Sequence, residues 1–411
     1  MTRQYDNYAD LITFTRASSG TYLDSDGVLK TATTNVPRIE YDADGNRLGL
    51  LIEEARTNYV RNSTLAGATV GVLDSGGNLP TNWGKPASLS NAEVEVVDLG
   101  TADGFDYIDL RFNGTLSANN VQQVFETSTS ISVSDGDVTT GSVYLQQIAG
   151  SLANITSVTI ITIYFASGAF HSSQSRTITL SEDRLERYYI TDTASDADGS
   201  GAITSARHVV QLVSPSGSVV DITLRFAAPQ FEAGSFPTSY IPTAGDAATR
   251  TADVASIPTS AFGFNAGAGT VVCEFDMQFG GTGFPRIWEI GFNLATTQRI
   301  TGYASASTNA IRAFAMSNNV GAADMLLATD PSPASGKYAF AFGDNDFRGT
   351  VNGGAIVADT SGLISGNENP RETLMLGGST VNAASQLNGH IKSIQYYPRR
   401  LSNAQLQEVT S

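Results

Sequence analysis

Apolar residues recur at every second position in stretch after stretch of this chain, and that spacing admits few folds. In Asp106-Tyr107-Ile108-Asp109-Leu110-Arg111-Phe112, one face would carry Ile108, Leu110 and Phe112, and the other Tyr107, Asp109 and Arg111. Side chains of a strand alternate between its two faces, so such a run reads as a half-buried antiparallel strand. Val219 to Phe226 and Val271 to Phe279 repeat the pattern, the second with Val271, Cys273, Phe275, Met277 and Phe279 inward and Glu274, Asp276 and Gln278 outward. Val158 to Phe165 is apolar on both faces and is expected to be covered on both. Turn pairs such as Asp26-Gly27, Asp44-Gly45, Asp135-Gly136 and Asn352-Gly353 punctuate these runs. Long stripes of helical period are almost absent. The expected fold is all-β, built as antiparallel β-sandwiches of the jelly-roll kind.

At 411 residues the chain exceeds what one hydrophobic core usually organises, and it divides into three. Residues 1–58 hold two similar hairpin units, Tyr22 to Gly27 and Tyr41 to Asn46, each with a Tyr shortly before an Asp-x-Asp-Gly turn. A piece of that size buries little alone, so it reads as an N-terminal attachment segment that packs on a partner or on a neighbouring domain. Residues 59–242 form a first sandwich and residues 254–411 a second. Phe236 to Asp253, with Pro237 and Pro242, reads as an extended linker, because a proline biases its predecessor away from helix. One helix is expected at the end, where Ser402 and Gln405 fit a capping box and Leu406 and Val409 form a short apolar edge that must dock on the second sandwich.

Charge narrows the partners. The net charge is −16, only Lys30, Lys85, Lys337 and Lys392 are lysines, and the arginines are dispersed, so neither nucleic acid nor an anionic membrane is an expected partner. The most apolar stretch is too short to span a bilayer. The single cysteine, Cys273, allows no intrachain disulfide, and the first residues carry no export-signal pattern.

Three stretches carry a resemblance. Phe14 to Tyr22, Pro37 to Tyr41 and Gly49 to Asn58 together resemble the opening segment of bacteriophage tail and fibre proteins. Pro229 to Thr243, followed by Thr249-Arg250-Thr251-Ala252-Asp253, is similar to the closing strand of the carbohydrate-binding-module-like jelly roll found in those proteins. Gly389 to Ser402 resembles the last strand and closing turn of laminin-G or concanavalin-like domains, with Lys337 to Asn352 as the preceding hairpin. The resemblance implies a virion spike or fibre subunit that folds in the host cytoplasm, works with other virion proteins as a homotrimer, and attaches to a host-surface glycan. Two rival readings remain: a structural adaptor or decoration protein of capsid or tail that binds no glycan, and a polysaccharide-degrading enzyme.

Laminarinase-like enzymes of the concanavalin-like fold carry Glu-x-Asp-x-x-Glu on a strand. Glu274-Phe275-Asp276 matches its start, but Phe279 stands where the last Glu belongs, so the second carboxylate of a glycosidase pair is missing and no enzymatic activity is expected. His171, His208 and His390 lack ligand spacing, and no nucleophile elbow, metalloprotease motif or phosphate loop occurs. A structural calcium would use Asp192, Asp196 and Asp198, or Asp344 and Asp346, although Asp is also an ordinary turn residue. Sugar stacking points to Trp83, in a polar surface-loop context, and to Trp288, whose apolar flanks favour core.

Overall fold

A computed structural model describes residues 11–86, 89–127, 131–197, 201–279, 284–292, 295–305, 308–329, 334–364, 371–380 and 385–411. The chain is all-β, every ladder between described strands is antiparallel, and the residues divide into two compact units. One unit joins residues 1–55 with 251–411; the other spans 56–250.

The discontinuous unit is a sandwich of two sheets, each seven-stranded among the described residues. Across the first the order is Thr13–Thr15, Val254–Pro258, Thr373–Leu376, Arg286–Phe292, Ala295–Ala304, Ile311–Ser317 and Val320–Ala328. Across the second it is Val357–Asp359, Phe347–Val351, Ser335–Gly343, Ala268–Met277, Gly389–Tyr397, Arg47–Ile52 and Ile39–Tyr41. Val271, Cys273, Phe275 and Met277 meet Trp288, Ile300, Ile311 and Leu374 in one core between them, so the inward set follows the alternation.

Residues 1–58 are therefore not the separate attachment segment expected. Thr13–Thr15 pairs with Val254–Pro258, Arg47–Ile52 pairs with Gly389–Tyr397, and Phe14, Leu50 and Ile52 enter the shared core. A short segment that cannot enclose its own apolar residues gains most by completing a sheet already there.

Charge locks this join. Asp253, 1% exposed, accepts from Arg16 Nη1 at 3.1 Å and from Arg38 Nη2, while Arg38 Nη2 lies 2.8 Å from Glu53 Oε2. The backbone N–H of Glu53 donates to the same Asp253 carboxylate at 2.9 Å. Burial disfavours charge on Arg38, but the carboxylates of Glu53 and Asp253 outweigh it and hold the guanidinium above its ordinary range.

The continuous unit is a second sandwich. Among the described residues its larger sheet runs Glu186–Thr193, Val138–Ser151, Val219–Ala233, Phe105–Leu116, Leu89–Ala102 and Gly71–Val72. The facing sheet runs Asn120–Val124, Ser205–Val213, Ser157–Ala166 and Ala169–Ile178, with Ile131–Ser132 pairing beside Ser205–Val213. Val158 to Tyr164 is buried without a break, as its two apolar faces require.

The stretch from Phe236 is no linker in this unit. Phe236, Tyr240, Ile241 and Thr243 are buried, and Ala248–Arg250 pairs with Arg56–Asn58. Buried amides pin it: Asn58 Nδ2 donates to Pro229 O at 3.2 Å and Ile241 O at 2.9 Å, and the N–H of Ile241 donates to Gln230 Oε1 at 2.8 Å. The prolines keep the segment extended, but extended backbone packs well when side-chain amides satisfy it.

Candidate functional site

The second sheet of the discontinuous unit has an outer face built by the same alternation that fills its core. Beside inward Cys273 and Phe275 stand outward Val272, Glu274 and Asp276. Toward one end this face is apolar, and the helix Asn403–Thr410 seals it by packing Leu406 on Val272, Ala339 and Ala341, with Leu401 alongside. Ser402 starts the helix as expected: its side chain accepts from the N–H of Gln405, whose own side chain accepts from the N–H of Ser402.

Next to the helix the face turns polar and opens into a groove of about 340 Å³, lined by Glu274, Ser335, Lys337, Asn352, Lys392 and Thr410 among others. Register places Lys337 directly across from Glu274 on the neighbouring strand. On the other side the pairing slips between Glu274 and Phe275, from Ser393 to Ile391, and Lys392 is the extra residue of that bulge. Bulges re-aim side chains; here the ammonium of Lys392 comes within 4.0 Å of Asp276 Oδ2. Asn352 holds a left-handed turn with φ of 51°, which its short amide tolerates, and its Oδ1 accepts from the N–H of Lys337 at 2.8 Å. A Cβ at Gly336 would come within 2.4 Å of that same oxygen, so the glycine makes room for the amide. Lys337 Nζ reaches the carbonyl of Ser411 at 2.8 Å.

Beyond Asp276 the polar face continues as a chain of charges. His390 Nδ1 lies 2.8 Å from Asp276 Oδ1, and its Nε2 lies 2.8 Å from Glu40 Oε2. Burial pulls the imidazole pKa down, but hydrogen bonds and charges from Asp276 and Glu40 more than reverse this and raise it to about 9. At neutral pH the ring is thus a cation between two carboxylates. It ties the strand Ile39–Tyr41 to the sheet and has no proton vacancy with which to act as a base.

The arrangement can hold ligands through charged and amide groups. It does not resemble a glycosidase pair: Asp276 is engaged by His390 and Lys392, and Phe279 adds no carboxylate. Cys273 faces the core, where burial pushes its thiol well above the usual range. Sequence spacing missed His390 altogether as a partner of Glu40 and Asp276, because these residues lie 350 and 114 positions apart from it.

The other candidate residues do not gather here. Trp83 was expected in an exposed loop but is only 6% exposed; its ring stands edge-on to Phe125 at 5.0 Å, and Nε1 donates to Asn62 O at 3.2 Å. Turn residues expose backbone, not necessarily the side chain between them. Trp288 is 0% exposed and packs against Tyr338 and Phe340. A ring sunk in a core has no face free to stack on a sugar. Asp192 lies on the edge strand Glu186–Thr193, and Asp196 Oδ1 accepts from the N–H of Ile203; Asp198 is outside the described residues. Asp344 accepts from the N–H of Ile364, whereas Asp346 pairs with Arg348 and Arg400. Among the described residues no group of three or more His, Cys, Asp or Glu is arranged to hold a metal ion, and no helix is long and apolar enough to cross a membrane.

No family model matches the chain, and no curated protein sequence matches it. Solved structures give loose overlaps. The carbohydrate-binding module CBM40 of the Ruminococcus gnavus IT-sialidase, bound to α2,3-sialyllactose, is 17% identical and covers 36% of this chain and 84% of its own, with a TM-score of 0.30. The tripod (BppUct-A-L) from the baseplate of bacteriophage Tuc2009 is 14% identical over 83% of this chain and 99% of its own, also at 0.30. The N-terminal CBM22 tandem of Paenibacillus barcinonensis Xyn10C is 8% identical over 81% and 99%, at 0.24. Overlaps at these scores establish neither a shared fold nor a shared role.

Proposed function

We propose that this chain is a bacteriophage virion subunit, a spike or fibre protein that attaches the particle to glycans on the host surface. One observation carries the reading. The stretches that resemble phage tail and fibre proteins are far apart in sequence, yet their charged residues Arg16, Arg38, Glu53 and Asp253 form one buried cluster. Residues that the resemblance picks out from distant stretches thus meet in one interior, which supports reading those stretches together. The subunit would work as a homotrimer alongside other virion proteins, with repeated copies turning weak single contacts into firm attachment. An enzymatic role has no support in the carboxylate geometry.

The test is to purify particles, label them with antibody raised against this chain, and image them, while measuring binding of the purified full-length protein to host cells and to a glycan array. Labelled spikes or fibres together with saturable binding are expected. Labelled particles without cell or glycan binding would leave the adaptor role in its place, and unlabelled particles would end the virion reading.

A further inference from the structure

We infer that the groove bounded by Glu274, Lys337, Asn352 and Lys392 is a binding site for a neutral, hydroxyl-rich saccharide unit. The inference deepens the attachment reading by giving it a location and a ligand class.

Its basis is the state of the groups in the groove. The chain has four lysines against a net charge of −16, and two of the four line this one groove. They are not consumed by neutralising each other's surroundings. Lys337 spends one donor on the carbonyl of Ser411, and Lys392 approaches Asp276 only to 4.0 Å. An ammonium carries three donors, so both retain capacity. Glu274, directly across from Lys337, is half-buried and its neighbours on the outer face are these lysines and Ser393. Asn352 uses its oxygen on Lys337 N–H, which leaves its amide NH₂ oriented by that bond and exposed.

The result is a carboxylate acceptor flanked by ammonium and amide donors in about 340 Å³, inside the range of ligand pockets, roughly 300–1,000 Å³. A sugar hydroxyl both donates and accepts, so adjacent hydroxyls can donate to Glu274 while accepting from Lys337, Lys392 or Asn352. A simple anion would gain from the lysines but meet Glu274 and Asp276. The mixed signs therefore favour a neutral polyol over an acidic group. The helix end at Thr410 forms one wall, with Thr410 Oγ1 accepting from Gly353 N–H at 3.1 Å, so the groove is fixed before a ligand arrives.

The experiment uses the intact protein. The protein is made with lysine labelled with ¹³C at Cε, so that the ammoniums stay unmodified; the four signals are assigned through single Lys→Arg variants, and methyl glycosides of neutral and acidic monosaccharides are titrated in. A glycan array is read in parallel. Shifts at Lys337 and Lys392, with Lys30 and Lys85 still, and an array preference for neutral glycans that falls about tenfold or more in Glu274→Gln and Lys337→Met are expected. Both variants must unfold at the wild-type temperature; Lys392→Gln, at a half-buried bulge position, replaces either that does not. Array binding that survives all these changes would overturn the groove but leave attachment standing elsewhere on the protein. A response confined to acidic glycosides would overturn the ligand class. Stationary lysine signals with every glycoside, and no array binding, would overturn the site, while particle labelling would still decide the virion role independently.

Discussion

His208 should make the continuous unit sensitive to mild acid. Its ring is 2% exposed, sits between Phe125 and Phe231 at 5.6 and 6.1 Å, and rests flat on Gly141, where a Cβ would come within 2.2 Å of Nδ1. Neither ring nitrogen makes a well-formed hydrogen bond, although the main chain of Ile161 lies near enough to favour the charged form. Desolvation outweighs the main chain of Ile161, and the pKa falls from 6.5 to about 3. The sign follows from proton uptake. Between these two values the unfolded chain binds a proton that the folded one refuses, so stability is complete above 6.5 and declines as pH falls toward 3. Going from about pH 8 to about pH 5, the loss from this one residue is about 2 kcal/mol.

The assay exploits the two tryptophans, one in each unit. In a Trp288→Phe background, the fluorescence of Trp83 reports urea unfolding of the continuous unit alone. His208→Phe preserves the ring stacking and forfeits no well-formed hydrogen bond, so at about pH 8 it should change stability by less than ~1.5 kcal/mol. Carboxylates shared by both proteins cancel in the comparison. The wild type should therefore lose about 2 kcal/mol more than His208→Phe on acidification. Equal losses, within about 0.5 kcal/mol, would mean that a proton or a water reaches the ring, and the desolvation argument would fall.

Asp253→Asn should cost the discontinuous unit about 3–5 kcal/mol, because it strips the shared counter-charge from two buried guanidiniums; urea unfolding read through Trp288 in a Trp83→Phe background measures it, and a loss under ~1 kcal/mol would show that other partners suffice. His390 works in the opposite sense to His208. Its folded pKa of about 9 lies above the unfolded 6.5, so its stabilisation is fully present below 6.5 and disappears as pH rises through 9. It contributes up to about 3 kcal/mol, and His390→Gln should flatten the alkaline side of the discontinuous unit's stability profile; an unchanged slope would refute the paired-carboxylate account. Leu406→Ala should cost about 2–3 kcal/mol and raise amide exchange selectively across the helix Asn403–Thr410, whereas uniform exchange would show that the helix does not open apart from its sheet.

Much of this architecture was legible locally. The inward and outward sets of Ala268–Met277, the doubly covered Ser157–Ala166 and the capping box at Ser402 are each written within about ten consecutive residues, where periodicity and capping rules act. What could not be read is pairing over distance. Nothing near Arg16 announces Asp253, 237 positions away, so residues that seemed a free segment and a linker turned out to be sheet and interior. Trp83 misled for a related reason, since its neighbours describe a turn and not where the indole goes. The scarcity of lysines was visible from the outset, but their convergence depends on a cross-strand register and a bulge that no spacing reveals.

Polarity also decides which part of the outer face the helix covers. Alternation gives Ala268–Met277 an apolar outward residue under the helix, Val272, and two carboxylates, Glu274 and Asp276. A helix bearing Leu406 can cover the first at a gain, but extending over the carboxylates would strip water from two charges, which costs more than the apolar edge of one short helix can offset. The helix packs over Val272, and its last turn lies beside Lys337 and Asn352. That step in polarity leaves the last turn of the helix next to charged groups, and a hydroxylated ligand can satisfy those groups where a packed apolar side chain could not.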